Sequence, residues 1–92
     1  MIAKNLRITG KVQGVFYRAW FMEQAHALGL DGWVRNRADG SVEAVVRGAP
    51  EMIEAIVARA HAGPPAARVT DVAVTDDESG DVVQGFEKRP TV

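Results

Sequence analysis

The chain has 92 residues, 47% hydrophobic and 25% charged, with a net charge of −1 and no cysteine. This length supports one hydrophobic core, so a single domain over residues 1–92 is expected, and the missing thiols exclude a disulfide framework, a thiolate metal site and a cysteine nucleophile. No run approaches the roughly 20 apolar residues of a membrane helix, and "MIAKNLRITG" lacks the apolar core of a secretory signal, so the cytoplasm is the expected compartment.

In chain order, residues 4–12 alternate, with Leu6, Ile8 and Val12 on one face and Asn5, Arg7, Thr9 and Lys11 on the other. That is the pattern of a half-buried strand, and Gly10 sits in its apolar row, where a missing side chain allows close approach. A helix is expected over 18–29, with Phe21, Ala25 and Leu28 on one stripe, Met22 beside them, and Gly29 able to end it in the left-handed conformation. Trp20 projects away from that stripe and is expected to be partly exposed. "GWVRNR" (32–37) and "SVEAVVRG" (41–48) read as two strands joined by a hairpin at Asp39-Gly40. Pro50 opens a second helix carrying Ile53, Ile56, Val57 and Ala60 on one stripe, and "GPP" (63–65) ends it. "RVTDVAVT" (68–75) is a further strand, "DDESGD" (76–81) an acidic turn, and "QGFEKR" (84–89) a short final strand.

The order strand–helix–strand–strand–helix–strand, plus a short fifth strand, is the split β-α-β pattern of an α+β, ferredoxin-like fold. Two helices then cover one face of a sheet dominated by antiparallel pairs. The first crossover is right-handed, so its two strands are parallel, and the third strand fits between them. The loop "VQGVFYR" and the segment "RNRADG" are thereby brought to the same end of the sheet.

Charge is uneven along the chain. Residues 1–37 carry six basic and two acidic side chains, whereas residues 38–92 carry five basic and ten acidic. A basic half in a near-neutral chain suggests an anion site, and uneven charge also arises by chance. The loop after the first strand runs directly into a helix, whose N-terminus presents unpaired N–H groups and partial positive charge. Gly14 lets the backbone curl so that successive N–H groups point at an anion, and Arg18 in the first turn can fork two donors onto phosphate oxygens. An ordinary turn followed by a solvent-pointing arginine fits this segment as well. Asn36 shares a row with Gly32 and Val34. Its amide can hold and orient a water, or simply turn the chain at a strand end. His26 and His61 lie on helices away from this end, no acid falls in the loop, and no P-loop or metal-ligand spacing occurs. Hydrolysis here lacks an obvious protein base and needs a substrate that is already reactive.

"GKVQGVFYRAW" together with "LGLDGWVRNRADGSVEAVVRG" and "GPPAARV" resembles the acylphosphatase family over nearly the whole chain. The resemblance implies hydrolysis of the carboxyl-phosphate bond of acyl phosphates, with no metal or organic cofactor. It implies that Arg18 and the backbone amides of Gln13, Gly14, Val15, Phe16, Tyr17 and Arg18 surround the phosphoryl group, and that Asn36 positions the attacking water. The implied partner is a small-molecule acyl phosphate, with neither nucleic acid nor membrane, and the implied state is a monomer. Three positions depart from or vary within the pattern: Arg37 replaces the small hydroxyl residue of some members, Lys88 stands where the last strand often carries an aliphatic residue, and the Phe16 position is variable. The alternatives are a non-catalytic anion-binding or regulatory module of the same fold, and a relative directed at carbamoyl phosphate. An RNA-binding domain shares the topology, but the strand "SVEAVVRG" offers no aromatic for base stacking.

Overall fold

A computed structural model of the chain describes every residue except Asp81 and Val83. The elements follow in the order β1 (Ile2–Lys11), α1 (Tyr17–Ala27), β2 (Asp31–Asn36), β3 (Val42–Gly48), α2 (Pro50–Ala62), β4 (Arg68–Asp76) and β5 (Phe86–Lys88). The sheet order is β4-β1-β3-β2-β5, with β3 antiparallel to both β1 and β2, β4 antiparallel to β1, and β5 parallel to β2. The expected α+β, ferredoxin-like arrangement is the one observed.

Boundaries shift by one or two residues for local reasons. The first strand starts at Ile2, which pairs with Gly48, and stops at Lys11, leaving Val12 just beyond it. α1 stops at Ala27 rather than Gly29. Gly29 at φ 66° donates its N–H to the His26 carbonyl, and Leu30 donates to Ala25, closing a Schellman turn. β2 ends at Asn36, so Arg37 belongs to the hairpin. The final strand is three residues long, and the chain beyond it stays alongside β2: Arg89 N–H donates to the Val34 carbonyl (2.9 Å) and Val92 N–H to that of Asn36 (3.2 Å). The acidic turn expected over 76–81 ends on Asp81, which lies outside the described residues.

The core lies between the sheet and the two helices. Leu6, Ile8, Val34, Val42, Ala44, Val46 and Phe86 supply the sheet side, and Phe21, Ala25, Ile53, Ile56 and Ala60 the helix side. The alternation that forms each strand also selects these residues. Burying each large one contributes about 1.5–3 kcal/mol relative to exposure. Gly10 is required by packing: a Cβ there would stand 2.1 Å from the Arg68 carbonyl oxygen, at an irregularity where β1 passes β4. Trp20 is half-buried against this core, whereas Trp33 is buried on the opposite, helix-free face.

Candidate active site

Between β1 and α1 the chain alternates between anchors and open positions. Val12, Val15 and Tyr17 are buried in the core, while Gly14 is exposed and Phe16 is 84% exposed. Gly14 (φ 73°) and Phe16 (φ 61°, ψ 25°) both take left-handed conformations. For Phe16 this costs about 1–2 kcal/mol, and the buried neighbours on either side hold it in place. The two turns curl the backbone around an open space. Among the described residues, no backbone N–H from Gly14 through Ala19 donates a hydrogen bond within the protein, and the first helical one is Trp20 N–H to Phe16 O at 3.1 Å. The helix has no side-chain N-cap and no acid in its first turn. Its partial positive charge therefore faces outward uncompensated.

Tyr17 anchors the helix start. Its hydroxyl donates to the Ala60 carbonyl of α2 at 2.7 Å, and its ring lies against Trp20 and Phe21. Burial pushes the phenol pKa well above its ordinary value, so it is no proton acceptor near neutrality.

A cleft of about 270 Å³ opens at this end, lined by Val12, Gly14, Phe16, Arg18, Ala19, Asn36 and Lys88. Arg18 makes no ion pair or hydrogen bond with the described residues. Asn36 shares the core-facing row with Val34, and its Oδ1 is buried without a hydrogen-bond partner. A buried amide oxygen left unpaired costs about 1–3 kcal/mol. No carboxylate or imidazole is among the lining residues. His26 Nε2 lies 3.3 Å from the Phe86 carbonyl near the other end of α1, and His61 is exposed on α2.

The two halves of the cleft are tied together by Gln13. Its Nε2 donates to the carbonyls of Arg37 (2.7 Å) and Ser41 (2.9 Å), clamping the loop to the β2–β3 hairpin next to Asn36. The hairpin is itself set by Asp39, whose Oδ1 accepts from both Ser41 N–H (2.9 Å) and Ser41 Oγ (2.6 Å). Thus Gly14, Phe16, Arg18 and Asn36 line one cleft, as the topology implied. Gln13, Val15 and Tyr17 leave only their backbone on that side. Sequence reasoning missed the clamp made by the Gln13 side chain and the presence of Val12, Ala19 and Lys88 in the cleft wall. The one available signal for Lys88 was its departure from the expected aliphatic residue.

The helix-free face of the sheet holds the other cluster of arginines. Glu43, near the start of β3, accepts from Arg35 Nε (2.9 Å), a terminal nitrogen of Arg37 (2.9 Å) and Asn5 Nδ2 (2.9 Å), with Arg7 at 3.5 Å. Burial pushes its carboxyl up, but the donors from Asn5, Arg35 and Arg37 outweigh this and hold the pKa near about 2 against an ordinary 4.5.

Fold and cleft by themselves define an α+β protein with an open cleft at an uncapped helix N-terminus, the kind of arrangement that suits an anion. The acylphosphatase family model matches residues 4–88. An acylphosphatase of Rhizorhabdus wittichii is 56% identical over 91 residues, covering 99% of this chain and 91% of that protein. The crystal structure of acylphosphatase from Bacillus subtilis superposes with a TM-score of 0.91 at 32% identity, covering 97% of this chain and 99% of that one. Full-length HypF in its phosphate- and nucleotide-bound form contains a similar unit: TM-score 0.87, 26% identity, 98% of this chain and 12% of that one. The chain belongs to the acylphosphatase family, and its activity is hydrolysis of acyl phosphates to a carboxylate and inorganic phosphate.

Proposed function

We propose that the cleft carries out this reaction with Arg18 and the backbone amides of Gln13, Gly14, Val15, Phe16, Tyr17 and Arg18 around the phosphoryl group, and with Asn36 holding the attacking water. The observation that carries the reading is one cleft wall holding Asn36 and Arg18 beside the start of α1, where the backbone N–H groups of Gly14 through Ala19 make no hydrogen bond with the described residues. The Asn36 amide at the cleft wall hydrogen-bonds a water and turns its lone pair toward phosphorus. The open N–H groups and the Arg18 guanidinium match a phosphoryl group, whose transferring form spreads negative charge over three oxygens. Attack by the water breaks the bond between phosphorus and the acyl oxygen, and the carboxylate leaves with that electron pair. A carboxylate needs little protonation to leave, so no general acid is required. The water proton passes to a phosphate oxygen of the substrate, which fits a cleft whose described lining includes no basic side chain other than Arg18 and Lys88. Arg18 and the helix dipole supply the charge that a metal would otherwise provide, and activity is expected to persist in a chelator.

The reading further comprises one domain over residues 1–92, acting as a monomer in the cytoplasm without membrane or nucleic-acid partners. Among the described residues no helix is long and apolar enough to cross a membrane. Arg18→Ala and Asn36→Ala, assayed on benzoyl phosphate with folding checked by circular dichroism, are each expected to lose about 10²–10³ in kcat. Wild-type turnover in either variant would remove that residue from its role.

A further inference from the structure

Lys88 lies at the edge of the sheet on its helix-covered face. In β5, Phe86 points into the helix-covered face and Glu87, which pairs with Arg89, lies on the other, so Lys88 returns to the face of Phe86. Opposite it in register is Val34, two residues before Asn36. An apolar residue there would extend the core. Instead the chain places an ammonium at the cleft wall, on the edge strand β5 next to the strand that carries Asn36.

The position of β5 is well defined. Asp31 accepts from Gly85 N–H (2.8 Å), Gly32 N–H donates to the Gly85 carbonyl (2.9 Å), and Arg89 N–H donates to Val34 (2.9 Å). Lys88 makes no hydrogen bond or ion pair with the described residues, and the cleft lining contains two cations and no acid. The phosphoryl group already has the guanidinium fork of Arg18 and the N–H groups of Gly14 through Ala19, enough donors for three oxygens. The cleft, at about 270 Å³, also exceeds what a phosphoryl group fills, since a water takes about 30 Å³. The remaining wall offers Val12, Phe16 and Ala19 to acyl carbons, and then Lys88.

We infer that Lys88 is a specificity residue that favours acyl phosphates carrying a second anionic group on the acyl chain, a carboxylate in the simplest case. A lysine suits this role because its ammonium is a point charge on a flexible stem and does not demand one fixed geometry. The inference rests on the reading that the phosphoryl group sits at Arg18, with the acyl chain directed toward the open side of the cleft.

The test uses matched substrates: benzoyl phosphate, its 3- and 4-carboxy derivatives, and 4-carbamoylbenzoyl phosphate as the uncharged analogue of similar size. For the wild-type protein, kcat/KM on at least one carboxybenzoyl phosphate is expected to exceed that on benzoyl and carbamoylbenzoyl phosphate by about two- to fivefold, the range of an exposed ion pair. The gain should appear in KM and shrink as salt is raised. Lys88→Met should abolish the preference and Lys88→Arg should keep it, both with kcat on benzoyl phosphate near that of the wild type. Lys88 is exposed on an edge strand, so these variants are expected to fold, which a thermal melt checks. No preference in the wild-type protein, or an equal loss on all four substrates in Lys88→Met, overturns the inference, the latter by putting Lys88 on the phosphoryl group itself. Failure of the underlying reading shows separately, as unchanged benzoyl phosphate turnover in Arg18→Ala.

Discussion

Arg18 in the cleft and the arginines around Glu43 stand on opposite faces of the sheet. Arg35 and Arg37 lie within 3 Å of the Glu43 carboxylate and Arg7 at 3.5 Å, while Arg18 makes no ion pair or hydrogen bond with the described residues. One face satisfies its cations with a protein carboxylate and stabilises the fold. The other leaves its cation at a helix N-terminus, where the dipole makes it unfavourable. The guanidinium chemistry is the same in both places, and the presence of a protein carboxylate decides the use.

Substitutions separate the two regions. The largest effect expected is on catalysis: Arg18→Ala should cost about 3 kcal/mol of transition-state stabilisation while leaving the melting temperature unchanged or slightly raised, measured by steady-state kinetics and calorimetry on one preparation. Glu43→Ala should do the opposite. It leaves three arginines facing one another and is expected to cost about 2 kcal/mol of stability, less than a fully buried pair because the arginines are partly exposed. Its kcat, measured below the melting transition, should stay close to that of the wild type.

The pH dependence of stability sharpens the same contrast. The Glu43 carboxyl is held near about 2 in the folded protein against an ordinary 4.5. Its contribution is fully present above about pH 4.5 and is lost as pH falls toward 2, because the unfolded chain takes up the proton first. Urea melts between pH 6 and 2 should show this loss in the wild-type protein and a flatter profile in Glu43→Gln. Equal slopes in both would mean that other carboxylates carry the acid sensitivity.

Gln13 joins loop and hairpin, and a smaller loss of stability than at Glu43 is expected there. Gln13→Ala removes two hydrogen bonds, but the Arg37 and Ser41 carbonyls each keep a backbone donor, so the cost should be about 1 kcal/mol. Turnover should fall by more than stability suggests, about tenfold, because the cradle loses its tie to the strand carrying Asn36. A loss of stability with unchanged kcat would make Gln13 a structural strut alone.

Much of this protein can be read along the chain. The alternation in β1 and β3, the helical stripes of α1 and α2 and the handedness of the crossover are local or near-local rules. They were enough to place Arg18 and Asn36 at one end of the sheet. The strain at Phe16 was not legible, because a left-handed phenylalanine is held by buried neighbours on both sides rather than favoured by its own chemistry. The Gln13 clamp reaches 24 and 28 residues along the chain, and the donors of Glu43 come from β1, β2 and the hairpin. Pairs such as Gln13–Arg37 and Asn5–Glu43, 24 and 38 residues apart, carry no periodic signature, and a glutamate alternating with Val42 and Ala44 reads simply as the solvent side of a strand. Lys88 is the sharpest case. Sequence marked it as an unusual residue in a short last strand, but its place in the cleft depends on β5 lying parallel to β2, 54 residues earlier in register. What the sequence alone determined was the set of elements, their pairing and the two ends that meet, since those follow from periodicity and chirality. What only the tertiary structure decided was which charges find partners and which do not, because pairing depends on distances between residues that the chain itself keeps far apart.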